Sequence, residues 1–276
     1  MFKFIFVPLH FMKKTSIISF LLTTCILLAG CGGVGKVLKS NDFEKKYEAA
    51  MAYYNNNSFS KAIQIFENLT LYYRGQEHGE DIVWYYGMSL FQEKDYFSAA
   101  YQFKRFAKQY PYSKRAEEAA YLSAYCQYKE SPEYSLDQTT TKMAITDFEQ
   151  FVERYPYSTH IPEINVYLDE MRGKLMRKDY EIAYGYYLIE SYHAAYISLQ
   201  SFLNNYPDSP YREDATFYLL RSGYEYAINS TEEKRSERLK QVINDFEKLS
   251  SSFRESKYMA EAQDIYNKTR AAMREY

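Results

Sequence analysis

The chain has 276 residues, a formal charge of -2, 10 Gly, 7 Pro and 3 Cys. A near-neutral balance argues against a nucleic-acid surface. So few turn-forming residues argue against a β-rich fold, and so few cysteines against a disulfide framework.

The first segment is a targeting signal. Met12-Lys13-Lys14 is a basic start, and Thr15 to Leu28 is an uncharged apolar run. That run falls short of the about 20 residues needed to span a bilayer. Leu28-Ala29-Gly30-Cys31 then reads as a lipobox, with cleavage before Cys31 and lipid attached to its sulfur. Residues 1–11 precede this signal awkwardly, and Met12 is the better start. Gly30, Gly35 and Lys36 also fit the opening of a phosphate-binding loop. That reading fails because Val37 stands where a metal-holding Ser or Thr is required. Of the other cysteines, Cys25 lies in the signal and Cys126 is a lone thiol, so no internal disulfide is expected after cleavage. His10, His78, His160 and His193 are scattered, no metal-binding spacing occurs, and no cofactor is expected.

Residues 31–41 read as a short flexible tether, and 42–276 as a helical solenoid. The repeat is marked by Tyr110-Pro111-Tyr112-Ser113, Tyr155-Pro156-Tyr157-Ser158 and Tyr206-Pro207-Asp208-Ser209. Ahead of them run Ala99, Phe103, Phe106; Ala144, Phe148, Phe151; and Ala195, Leu199, Phe202. Each trio occupies one helix face, and the proline ends that helix. The serine is expected to cap the next helix, with Ser209-Pro210 as N-cap and first residue. Upstream of Ala62, Ala99 and Ala195 stands a small residue (Ala50, Gly87, Ala183), with an aromatic nine later and the Ala twelve later, the tetratricopeptide (TPR) pattern. Five units fit, at about 43–76, 80–113, 117–158, 176–209 and 216–256. Insertions are expected at Glu130 to Thr141 and Asn229 to Arg235, with extra helix from Ile161. In the last unit Phe253-Arg254-Glu255-Ser256 replaces the Tyr-Pro mark, and 257–276 caps the stack. The fold class is therefore all-α, a superhelical solenoid of about five TPR-like helix pairs with a C-terminal capping helix.

The first helices carry an aromatic and Met stripe beside the small residues. It comprises Tyr47, Met51, Tyr54; Trp84, Met88, Phe91; and Tyr121, Tyr125, Tyr128. It continues as Tyr180, Tyr184, Tyr187 and fades into Leu220, Tyr224, Ala227. Such rings either pack against neighbouring helices or line a groove for an extended, aromatic-bearing peptide. Catalysis has little support. Glu190-Ser191 and Glu255-Ser256 fall inside the repeat register, and the pairs Glu117-Glu118 and Glu232-Glu233 are sequence neighbours that diverge around a helix. No catalytic residue is assigned.

Lipobox, short tether, tandem repeats and terminal helix together resemble the BamD (YfiO) family, the lipoprotein subunit of the outer-membrane β-barrel assembly machinery. The stretch from Asp179 through Tyr187, Ala194-Ala195 and Phe202 to Pro210 looks like that family's fourth repeat. The resemblance implies a non-enzymatic scaffold on the periplasmic face of the outer membrane. Its N-terminal repeats would receive unfolded outer-membrane β-barrel proteins. Its C-terminal repeats would dock the periplasmic domains of the barrel-forming core subunit. A general periplasmic TPR adaptor for cell-envelope or cell-wall assembly is the alternative, although no heptads lie between Ser40 and Ala50. Cys31→Ser is expected to release the protein from membranes on fractionation; continued membrane association would place the anchor elsewhere.

Overall fold

The structure is a computed structural model that describes residues 32–70, 72–73 and 76–274. The signal segment and Cys31 lie outside the described residues. The described residues form twelve helices and no strand. They are α1 Gly32–Lys39, α2 Phe43–Asn55, α3 Phe59–Leu69, α4 Gly79–Gln92, α5 Tyr96–Gln109, α6 Ala116–Lys129, α7 Thr139–Arg154, α8 Ile161–Leu188, α9 Tyr192–Asn205, α10 Arg212–Ile228, α11 Glu232–Ser252 and α12 Met259–Ala272. The chain divides into two compact units, Met1–Glu130 with Thr146–Ser158, and Ser131–Ile145 with Thr159–Tyr276. In the first, α2 packs on α3, α3 on α4, α4 on α5 and α5 on α6. In the second, α8 through α12 pack each on the next. Both are stacks of TPR-like helix pairs, the all-α class expected.

The stripes read from sequence form the cores. Ala62, Phe66, Leu69, Ala99, Phe103, Phe106, Ala195 and Leu199 have no exposed surface, and Phe202 retains 2%. Burying one such Phe or Leu side chain stabilises the fold by roughly 1.5–3 kcal/mol. The small residues opposite them set how closely the helices approach. A Cβ on Gly87 would lie 3.0 Å from the Phe103 ring, and one on Gly223 would lie 3.0 Å from the Tyr196 ring.

The turns between pairs differ from expectation in one respect. The marks do fold alike: Ser113, Ser158, Ser209 and Ser256 each donate their backbone N–H to the residue three earlier, at 3.0–3.2 Å. The Phe253 variant therefore makes the same turn as the Tyr-Pro marks. The serine is not the helix N-cap, however. The cap positions of α6, α8, α10 and α12 are Arg115, His160, Tyr211 and Tyr258. Ser209 Oγ instead accepts the N–H of Tyr211 at 3.1 Å, so Pro210 precedes the helix rather than starting it. In two turns the same oxygen also reaches back to the preceding pair. Ser113 donates to Glu80 at 2.6 Å, and Ser256 to Glu213 at 2.7 Å. The neighbouring carboxylates complete the latch: Arg115 bonds Asp81 at 2.5 Å, and Tyr258 donates to Asp214 at 2.6 Å.

Four further expectations are refined. Gly32 to Lys39 is a helix rather than slack. Val34, Val37 and Leu38 give it an apolar stripe that joins the core cluster of α2 and α3. The insertion after Glu130 is stitched by Ser131–Thr141 and Thr141–Gln138 side-chain bonds of 2.7 Å. It rests on α8 through Lys174, which donates to Ser131 Oγ at 2.8 Å, and through Arg177, 4.0 Å above the Tyr134 ring. The extra residues near Asn229 mostly lengthen α11 to 21 residues, and those from Ile161 run unbroken into the 28-residue α8.

Inside the pairs, three turns hold a non-glycine residue in the left-handed region: Asn57 (φ 55°), Lys94 (φ 62°) and Glu190 (φ 60°). Each closes a helix with paired bonds, Lys94 N–H to Phe91 O and Asp95 N–H to Leu90 O, both 3.0 Å, in the second pair. Glycine suits this position because it lacks the Cβ that crowds the carbonyl. Lys94→Gly is expected to stabilise the first unit by about 1 kcal/mol. A urea midpoint that rises checks this; one that falls would show that the Lys94 side chain contributes more than its backbone strain costs.

A candidate peptide-binding wall

The nine residues of the N-terminal stripe all lie in the first unit, on α2, α4 and α6. Tyr121 is buried at 8% exposure, and the other eight are half-buried. Ring contacts join them. Phe91 meets Tyr125 at 6.2 Å between centroids. Tyr125 lies 5.8 Å from Tyr121 and 6.0 Å from Tyr128. This brings the second and third sets together. The first set connects through other residues: Tyr54 meets Tyr85 edge-on at 4.8 Å, and Tyr47 stacks on His78 at 4.2 Å. Met51 packs beside them on the α2–α3 core. Trp84 is turned partly into its own pair, its edge contacts being Phe106 at 5.5 Å and Phe103 at 5.8 Å.

A charged foot closes one end. Arg115 lies 5.5 Å above both Trp84 and Tyr85 while its guanidinium bonds Asp81. Tyr47 donates its phenol to Asp81 at 3.4 Å. Burial first, then the Asp81 charge, pushes that phenol up to about 12. Tyr85, His78 and Arg115 were not picked out by the stripe register. Tyr85 lies two residues before Gly87, and Arg115 sits in the turn after the Tyr-Pro mark. A basic residue two places after the first mark's serine was the available signal. It recurs at His160 but is replaced by Tyr at 211 and 258.

The second unit has its own aromatic face. Tyr180 stacks on Tyr211 at 4.7 Å, and Tyr218 meets Tyr184 at 4.6 Å and Tyr187 at 4.9 Å. Arg221 lies 5.4 Å over Tyr187. The carboxylates considered for catalysis have structural places. Glu190 is the exposed left-handed turn residue, and Ser256 is held by Glu213. Glu117-Glu118 and Glu232-Glu233 lie in the first turns of α6 and α11, where negative charge suits the helix dipole. Among the described residues no helix is long and apolar enough to cross a membrane.

Paired helices closed on small residues, with a ring-lined face, define a TPR-like repeat protein. The sequence also matches the YfiO family of outer membrane lipoproteins over residues 39–239 and 181–276, and the chain belongs to that family. It is 22% identical to the outer membrane protein assembly factor BamD of Caulobacter vibrioides, over 76% of this chain and 70% of that one. It is 20% identical to the BamD of Pasteurella multocida, over 78% of this chain and 85% of the relative. It is 27% identical to a putative BamD of Aquifex aeolicus, over 91% and 81%. The protein is thus an outer-membrane lipoprotein.

The Tyr47 phenol carries a pH signature. Its folded value lies above that of an exposed tyrosine, so the folded state holds the proton more tightly. The associated stability is complete below about pH 10. It is lost as pH rises toward about 12. Tyr47→Phe is expected to flatten the alkaline fall in melting temperature over that window. An unchanged slope would mean that this phenol is not desolvated in the fold.

Proposed function

We propose that this lipoprotein serves in outer-membrane protein assembly as a non-enzymatic scaffold. The observation that carries this reading is the wall of half-buried rings on α2, α4 and α6, in a chain whose family relatives are named as outer membrane protein assembly factors. Cys31 carries the lipid and holds the first unit close to the membrane. Two or more acyl chains are enough for stable attachment.

The wall receives segments of unfolded barrel proteins. Barrel strands alternate apolar and polar residues, so an extended segment shows a row of apolar side chains to one side. Tyr, Trp and Met side chains match such a row without demanding one sequence. The Asp81–Arg115 foot supplies polar partners for backbone or terminal groups at one end. The second unit, with its separate aromatic face around Tyr184, Tyr187, Tyr218 and Arg221, docks the barrel-forming core subunit through that subunit's periplasmic domains.

The test is equilibrium binding of a C-terminal peptide from an outer-membrane barrel protein. Met88→Ala with Tyr125→Ala is expected to weaken it about tenfold or more, since both side chains are half-buried contact surface. An unchanged affinity in a folded double variant would assign these side chains to packing alone. Purification from membranes without a barrel-forming subunit would overturn the assembly role itself.

A further inference from the structure

The fourth helix pair leaves open a face that the other pairs cover. On each first helix, the residues one before and three after the small residue share a face, being one turn apart. In pair two these are Tyr86, packed against the core cluster shared with α3, and Leu90, 4% exposed. In pair three they are Ser123, bonded to Ala100 O of α5 at 3.1 Å, and the buried Gln127. In pair five they are Ser222, fully buried, and Tyr226, stacked on His193 of α9 at 4.5 Å.

Pair one is the informative comparison, because α1 covers it. The residues there are Ala49 and Tyr53. Gly33 of α1 approaches so closely that a Cβ would lie 2.7 Å from the Tyr53 hydroxyl. Val34, Val37 and Leu38 of α1, spaced i, i+3, i+4, complete the contact. Pair four aligns with pair one without a gap, residues 179–202 against 46–69. Its face residues are Ile182 and Tyr186, yet they are 47% and 38% exposed, and Ile189 beyond them is 72% exposed. Across the pair, Ile197 is 50% exposed where pair one has the polar Gln64. Ile182 and Ile197 wall a groove of about 390 Å³ floored by Phe202. Its polar end holds Asp179, which accepts the Tyr206 hydroxyl at 2.7 Å. The corresponding residue of pair one is Lys46. The end of the groove has therefore changed from cationic to anionic.

We infer that this groove docks a short amphipathic helix of a partner protein. The helix sets aliphatic side chains, spaced i, i+3, i+4, against Ile182 and Ile197, and a Lys or Arg against Asp179. The seat of α1 on pair one shows what such an occupant looks like. The α1 of a second copy is not available, because it is engaged by its own pair one. The inference is independent of the wall on α2, α4 and α6, and peptide binding there bears on neither outcome.

The test places a photo-crosslinking amino acid at Ile189 in the full-length lipoprotein in its own membranes, with the crosslinked peptide mapped by mass spectrometry. The expected result is one partner segment with the i, i+3, i+4 aliphatic pattern and an adjacent Lys or Arg. Ile182→Asp with Ile197→Asp should cut the yield about tenfold or more. Asp179→Asn, which keeps the Tyr206 bond but removes the charge, should lower it severalfold while helicity and melting temperature hold. No crosslink, crosslinks to lipid, to a second copy or to a segment without that pattern, or a yield unaffected by both variants would each overturn the inference.

Discussion

The structure depends on one steric constraint: nothing larger than a methyl group where neighbouring helices cross. Gly87 meets the Phe103 ring of its own pair, and Gly223 the Tyr196 ring of the preceding pair, at distances that leave a Cβ no slack. Ala50, Ala124 and Ala183 hold the same register with at most 1% exposure. Once the crossing is fixed, the larger neighbours have only one direction left. Residues three before, one after and four after the small position must fan out on an adjacent face. The ring-lined wall follows from the crossing, so the proposed binding surface and the packing surface share one origin.

The second constraint is the latch between pairs. A serine after each of the last four helix pairs closes its own turn. At Ser113 and Ser256 it also bonds a glutamate in the first turn of the preceding pair. The aspartate beside that glutamate holds Arg115 in one unit and Tyr258 in the other. Two independent turns in separate units use the same polar grammar. This explains why the Tyr-Pro part of the mark can change to Phe-Arg while the serine remains. The proline only ends a helix, and other residues can do that. The serine carries bonds in two directions.

Much of this was legible because burial imposes a period. Ala99, Phe103 and Phe106 announce a helix face whatever surrounds them. What periodicity cannot reveal is direction within a half-buried position. Trp84 belongs to the stripe by register, yet its indole leans on Phe103 and Phe106. Tyr85, one residue later, makes the contact with Tyr54 instead. Gly32 to Lys39 looked like slack because glycine is permissive in an isolated chain. Against pair one, the missing Cβ of Gly33 is what lets a helix seat on Tyr53. The serine's place before the cap is hidden for a related reason: the pattern identifies an oxygen that accepts a backbone N–H, but not which N–H it accepts.

The state of the wall also bears on how it would hold a client. Its rings already touch one another and are half-buried before anything binds. Each contact with a client therefore removes only the remaining exposed area from water, and the gain per ring is a fraction of what full burial provides. Affinity must come from several shallow contacts rather than one deep pocket. An extended segment that slides by two residues keeps its apolar side toward the wall, so register is weakly enforced. A surface of this kind favours tolerance over tightness. That balance is what the proposed role, receiving many different unfolded strands and releasing each, would call for.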